Sequence, residues 1–139
     1  MTNEQTFVQW LRGLFTERDE DWTRIESMTE NGIPDINICK CGIDVWVEAK
    51  VRYPKGVLLR KEQYAWAVRR SECGGSIYCL AWDIANDTVL CYHLNVGISA
   101  RPSGDGKTLI IMSPPDTVLV RLDRDTKRAV KSFLFPMGT

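Results

Sequence analysis

Gly32-Ile33-Pro34-Asp35-Ile36-Asn37-Ile38-Cys39-Lys40-Cys41-Gly42-Ile43-Asp44-Val45-Trp46-Val47-Glu48-Ala49-Lys50 decides the reading of this chain. Apolar residues recur at every second position on both sides of Cys39–Asp44, the period of a half-buried strand rather than of a helix. The connecting segment is short enough to join two antiparallel strands as a hairpin. Ile36 and Ile38 form the apolar side of the first strand, so Asp35 points away from their core. Val47, Ala49 and Val51 face the core from the second strand, while Glu48 and Lys50, two residues apart, share the other face. Pairing the strands brings Asp35 to the Glu48–Lys50 end.

Two carboxylates held side by side repel, and each raises the other's pKa. A hard divalent cation relieves that conflict, and Mg²⁺ typically takes one or two carboxylates while leaving room for water and phosphate. Lys50 is then placed to orient or deprotonate the attacking water, or to stabilise charge on the phosphate. Two acids and a lysine at one end of a hairpin are the minimum set for metal-dependent phosphodiester hydrolysis. Plainer roles exist: Glu48 and Lys50 as a solvated pair of little energetic worth, and Asp35 as a turn residue after Pro34. The second strand is otherwise so apolar that its polar members stand out.

Glu48-Ala49-Lys50 follows Asp35 by thirteen positions, and Leu58-Leu59-Arg60-Lys61-Glu62-Gln63-Tyr64-Ala65-Trp66 comes after it. Each piece alone is a weak signal, but their order, spacing and strand context combine. Together they resemble the PD-(D/E)xK nuclease superfamily, most of all its compact Holliday-junction resolvases and VRR-NUC-type nuclease domains. The resemblance spans roughly residues 4–82. It implies an α/β fold with a mixed central β-sheet flanked by helices, a restriction-endonuclease-like core. It also implies that Asp35, Glu48 and the Ala49 carbonyl hold Mg²⁺, with Mn²⁺ able to substitute, and that Lys50 is the catalytic lysine. Cleavage would leave 5′-phosphate and 3′-hydroxyl ends. Whether one or two metal ions act stays open.

Members of that family often add an acid from the first helix. Glu4 is the first candidate, because Glu4, Phe7, Val8, Leu11, Leu14 and Phe15 follow helical spacing on one face. Its plainer role is to complement the helix dipole in the first turn. Glu26, on a strand expected before the Gly-Ile-Pro-Asp segment, is the rival. Gln63 shares a helical face with Leu59, Trp66 and Ala67. It is either a residue of the site, helping Lys50 to orient water, or a capping or core-edge amide.

Formal net charge is zero, which argues against a general polyanion binder, but the charge is unevenly spread. Residues 1–35 carry three arginines against eight carboxylates, and residues 51–72 carry six cations against two carboxylates. The basic segment follows the candidate catalytic strand directly. Arg52, Lys55, Arg60 and Lys61 are therefore expected to hold DNA phosphates over the site, with a solvated helix face as the simpler alternative.

The 139 residues suit one domain, 1–139, with a real hydrophobic core. No run approaches the length needed to cross a membrane, and Met1-Thr2-Asn3-Glu4 lacks the basic and apolar parts of a signal peptide. The expected setting is cytoplasmic, or the interior of the host cell if the chain is phage-encoded. Five cysteines, an odd number, do not suggest a disulfide framework. Most are expected to be buried free thiols, and Cys39-x-Cys41 does not match usual zinc spacing. His93, the only histidine, has no evident catalytic or metal partner and is read as structural or surface.

The remaining elements follow from periodicity and breakers. The sequence predicts a helix over Asn3–Glu17 capped by Thr2 or Asn3, an acidic turn over Arg18–Asp21, and a strand over Trp22–Met28. Tyr53-Pro54-Lys55-Gly56 breaks the chain. A helix over Leu58–Glu72 stops at Gly74-Gly75. Strands are expected over Ser76–Trp82, nearly all apolar and so central, and over Thr88–Leu94. Arg101–Lys107 is a loop by composition, expected to be flexible and to face substrate. Thr108–Met112 and Thr117–Leu122 suit short strands. Asp125–Phe135 suits a helix or a strand, with Val130, Phe133, Leu134 and Phe135 packing on the body or forming a subunit contact.

The expected activity is a Mg²⁺-dependent endodeoxyribonuclease acting on branched DNA, since so small a chain has few parts left for base-edge readout. Symmetric cleavage of a junction needs a homodimer. A linear-duplex or nicking nuclease is the alternative within enzymes. A non-catalytic nucleic-acid-binding module on the same fold is the alternative outside them.

Overall fold

The computed structural model describes residues 1–25 and 32–136. Its centre is a six-stranded mixed sheet formed by β1 (Glu20–Arg24), β2 (Ile36–Lys40), β3 (Ile43–Val51), β5 (Ile77–Asp83), β6 (Thr88–His93) and β9 (Thr117–Val120), in the spatial order β1-β2-β3-β5-β6-β9. Among the described residues only the β3–β5 pair is parallel, and α2 (Lys61–Glu72) supplies the crossover between them. A smaller antiparallel sheet holds β4 (Leu58–Arg60), β8 (Thr108–Ile111) and β7 (Ala100–Pro102), in the order β4-β8-β7.

Each face of the main sheet has its own core. On one side, α1 (Asn3–Leu14) and α3 (Thr126–Leu134) pack Phe7, Leu11, Val130 and Leu134 against Ile36, Ile38, Val45 and Val47. On the other, Trp66 and Ala67 of α2, together with Val57, Leu59 and Ile111, cover Ile77, Cys79, Leu90 and Tyr92. Strand β5 is buried at almost every position because both faces are covered.

The hairpin forms as the alternation requires. Ile36 pairs with Val47 and Lys40 with Ile43, so only Cys41 and Gly42 make the turn. Both have positive φ, at 52° and 76°, as a two-residue type I′ turn demands. Strand β3 runs on past Val47, which faces the first residue of β2.

The structure differs from the sequence expectations at several boundaries. Helix α1 ends at Leu14, with Phe15 as C-cap, rather than at Glu17, and its N-cap is Thr2, bonded reciprocally with Gln5. Strand β1 begins at Glu20, inside the expected acidic turn, because Glu20–Arg24 pairs along β2. The expected Trp22–Met28 strand is seen only to Arg24, and residues 26–28 lie outside the described residues. Leu58–Arg60 is a strand, not the first turn of the helix, because it pairs with β8. Ala100–Pro102, partly placed in the expected loop, is a strand for the same reason. The tip beyond it is organised: Asp105 accepts the backbone N–H groups of Lys107 and Thr108 and the Thr108 hydroxyl. The tail is a helix, and Val130, Leu134 and Phe135 belong to the core, leaving them unavailable for a subunit contact.

All five cysteines are free, but only Cys79 and Cys91 are buried, fewer than expected. His93 is exposed and stacks on Tyr78 at 4.9 Å between centroids. Among the described residues no helix is long and apolar enough to cross a membrane.

Candidate active site

Asp35 lies one residue before Ile36, whose partner across the hairpin is Val47. Continuing that antiparallel register places Asp35 opposite Glu48. The turn that delivers Asp35 is fixed by Gly32, which has φ +95°. A Cβ there would meet the Glu62 carbonyl oxygen at 2.3 Å and the Trp66 Cβ at 3.2 Å. The Gly-Ile-Pro-Asp turn is thus pressed directly onto the first turns of α2. Pro34 is buried and Asp35 half-buried.

Glu48 points to the α2 side of the sheet and is only 2% exposed. Its Oε1 accepts a hydrogen bond of 2.6 Å from Gln63 Nε2. Its Oε2 is buried and has no hydrogen-bond partner among the described residues. Lys50, two residues along the same face, holds Nζ 3.9 Å from Oε1, too far for a strong hydrogen bond. Cys79, the register partner of Glu48 on β5, floors the site. Burial, reinforced by the Glu48 charge, pushes its thiol far up, so it is neutral and inert.

Burial and then the Asp35 carboxylate push the Glu48 carboxyl up to about 8, against the pull of Lys50 and Arg60. Glu4 adds a smaller upward push. Four of the expected site residues, Asp35, Glu48, Lys50 and Gln63, therefore converge. Glu4 lies near enough to be felt but is exposed, lining a cleft of about 580 Å³ with Arg24 and Tyr53. Glu26 lies outside the described residues.

Gln63 is committed at both ends. Its Oε1 accepts the Arg60 backbone N–H at 2.9 Å, which closes the start of α2. The same bond fixes the amide so that Nε2 faces Glu48. These two bonds give Gln63 a role in positioning Glu48 beside the expected one in orienting water. The core-edge capping role weighed as its alternative is also realised.

Among the described residues no three His, Cys, Asp or Glu side chains come together as a ready-made metal cage. The donors present still fit one hard cation. Glu48 offers a buried oxygen without a partner among the described residues, its charged form is disfavoured by burial and by Asp35 despite Lys50 and Arg60, and Mg²⁺ needs only one or two protein carboxylates. The Ala49 carbonyl is on the same strand, in a fully buried residue.

The expected DNA-contacting residues fall in two places, all exposed. Arg60 and Lys61 stand at the β4–α2 junction beside Gln63. Arg52 and Lys55 line a cleft of about 440 Å³ that also receives Arg101. Sequence reasoning gives Arg101 no individual role. Its signal is a cation beside a turn-rich segment, and only the β7–β8 pairing brings it to this cleft. Lys107 is likewise drawn to the α2 start, where its carbonyl accepts the Lys61 N–H at 3.0 Å.

No family model and no curated protein sequence matches this chain. Among solved structures it is similar to Hjc, a Holliday junction resolvase from the archaeal hyperthermophile Archaeoglobus fulgidus. The TM-score is 0.53 at 14% sequence identity, covering 78% of this chain and 82% of the resolvase. The two share a fold: a mixed sheet flanked by helices. At this identity any kinship is distant.

Proposed function

We propose that this chain is a single metal-dependent endodeoxyribonuclease domain that hydrolyses phosphodiester bonds in branched DNA. The observation that carries the reading is the buried Glu48, which the continued hairpin register sets opposite Asp35, with one carboxylate oxygen unpartnered among the described residues and Lys50 on the same face. The shared fold with an archaeal Holliday junction resolvase supports the same class of activity.

Asp35, Glu48 and the Ala49 carbonyl would hold Mg²⁺ or Mn²⁺. When bound, the ion supplies Lewis-acid polarisation of the phosphate and favours ionisation of the attacking water. The chain's own residues do the rest. Gln63 holds Glu48 in one rotamer through Oε1 and leaves Oε2 free for the cation. Cys79 and the surrounding apolar side chains keep the site's dielectric low, which strengthens each charge interaction. Lys50, with its side chain 18% exposed, faces the phosphate and stabilises charge developing there, or orients the attacking water. Arg60 and Lys61 on one side, and Arg52, Lys55 and Arg101 on the other, hold the backbone in register without reading sequence.

Symmetric cutting of a junction calls for two copies. We assign the contact to β9, an edge strand of the main sheet. Val118, Val120 and Leu122 stand exposed there, at 51%, 59% and 69%. The opposite edge, β1, instead shows Asp21 and Arg24, the charged kind of edge that resists pairing.

Cleavage of a labelled four-way junction, compared with matched linear duplex and single strand in Mg²⁺ or EDTA, tests this function. Paired, metal-dependent cuts in the junction are expected. Cutting confined to linear DNA would favour a linear-duplex or nicking nuclease. Binding without cutting of any substrate would favour a non-catalytic module.

A further inference from the structure

The other face of the main sheet carries a second basic surface that takes no part in the site above. Lys40 at the end of β2, Arg124 just before α3, and Lys127, Arg128 and Lys131 along α3 line a groove of about 1000 Å³, together with the acids Glu17 and Asp125. Glu20, its side chain fully buried, lies 2.8 Å from Lys40 and 2.7 Å from Lys131. One carboxylate between two ammonium groups leaves a positive charge unbalanced. Glu17 reaches Lys127 only at 3.9 Å, between exposed side chains. Among the described residues neither Arg124 nor Arg128 has a carboxylate within ion-pair distance.

Lys131 ties α3 to Glu20 of β1, which also pairs with Lys40, but the anchoring of α3 does not call for Arg124, Lys127 or Arg128. The helix is anchored by Thr126, Val130 and Leu134. Lys127 and Lys131 stand at the i, i+4 spacing at which like charges repel. Lys127 and Arg128 sit in the first turn, where the helix dipole disfavours cations, with Asp125 at the N-cap as their nearby counter-charge. Cations gathered in a groove against both effects form an electrostatic footprint for a polyanion.

We propose that this groove binds the sugar–phosphate backbone of nucleic acid, as the seat of a second arm of the branched substrate whose first arm lies over Asp35 and Glu48. The inference rests on the nuclease function proposed above. The argument for a second arm is positional. Val130 and Leu134 pack on the Ile36–Ile38 face of the sheet, whereas Glu48 and Gln63 meet on the other. Lys40 is also five residues from Asp35 along extended chain, about 17 Å. A straight duplex lying on one face leaves the other untouched, whereas diverging arms engage both. Backbone contacts fix orientation without reading bases, so the groove favours branched over linear DNA.

The test compares wild type with Arg124→Glu/Arg128→Glu, and with Arg124→Gln/Arg128→Gln in case charge reversal unfolds the chain. Both arginines are exposed, and thermal melts check that each variant folds. Affinity is measured in EDTA across a salt series, for a four-way junction and for a linear duplex of one arm's length. Junction affinity is expected to fall by about tenfold or more, and its salt slope by roughly one for each phosphate no longer neutralised, with duplex affinity unchanged. Unchanged junction affinity and slope would overturn the proposal, and equal losses on both substrates would overturn the second-arm assignment. If wild type cuts DNA with Mg²⁺ yet the variants bind the junction normally, the groove alone is refuted. If wild type binds neither substrate, the nuclease function falls with it.

Discussion

Gln63 and Glu48 are joined by a 2.6 Å hydrogen bond from Nε2 to Oε1, and the other end of the same amide accepts the Arg60 N–H. One side chain thereby links the start of α2 to the central acid of β3. Replacing Gln63 by Leu, of similar size, leaves both Glu48 Oε1 and the Arg60 N–H without a partner. A loss of about 1–3 kcal/mol in denaturant unfolding is expected, together with slower cleavage at saturating substrate. Unchanged stability would show that water replaces both bonds at no cost.

The carboxyl of Glu48 is pushed up to about 8, first by burial and then by Asp35. Without a divalent cation, the folded state therefore holds a proton that the unfolded chain releases near the ordinary glutamate value of 4.5. The sign follows: stability from this group is present at low pH and is lost as pH rises from about 4.5 to about 8, levelling off above. Glu48→Gln removes the dependence. In EDTA at pH 8 it should be more stable than wild type by more than about 1 kcal/mol, and it should not cut DNA. Thermal melts from pH 5 to 8.5 measure both curves, and parallel curves would contradict the assignment.

The same proton competes with metal. Below pH 8, binding of Mg²⁺ or Mn²⁺ should release about one proton, and apparent affinity should drop about tenfold for each pH unit. Calorimetric titration in two buffers of different ionisation enthalpy reads the protons released. Metal affinity flat from pH 6 to 8 would place the cation away from Glu48.

Gly32→Ala inserts a Cβ at 2.3 Å from the Glu62 carbonyl, at a positive φ. The turn must then retreat from α2 and carry Asp35 with it. A stability loss of about 2 kcal/mol or more is expected, with cleavage reduced beyond what the fraction unfolded explains. Full activity at a temperature where the variant is folded would show that Asp35 does not depend on this contact.

The hairpin is legible in the sequence because period-two alternation and a short turn are local signals, and residue parity puts Glu48 and Lys50 on one face. Gln63 is legible as a candidate, since Leu59, Gln63, Trp66 and Ala67 share a helical spacing. Its bond to the Arg60 N–H requires knowing where α2 begins. Sequence places that start too early because Leu58-Leu59-Arg60 continues the helical pattern, and only pairing with Leu109 and its neighbours makes it a strand. Strand β7 escapes sequence reading for the same non-local reason. Helix α3 carries a local signal, with Val130, Phe133 and Leu134 at helical spacing, but in so short a segment it does not exclude a strand. The close approach of Gly32 to Glu62 cannot be read at all, because it belongs to two segments thirty residues apart.

Lys50 Nζ stands 3.9 Å from Glu48 Oε1, beyond the range of a strong hydrogen bond. Lys50→Ala should reduce cleavage by about 100-fold or more while junction affinity in Ca²⁺ changes only a few-fold. A variant that cuts normally but binds poorly would make Lys50 a phosphate anchor instead.

The most direct test of the metal-site claim is single-turnover cleavage of a four-way junction in Mg²⁺ by wild type and Asp35→Asn, with binding measured on the same preparations. The substitution keeps the size of the side chain and removes one charge. Wild type should cut and Asp35→Asn should be slower by at least about 100-fold, with junction binding retained. Cleavage by Asp35→Asn at the wild-type rate would contradict the account.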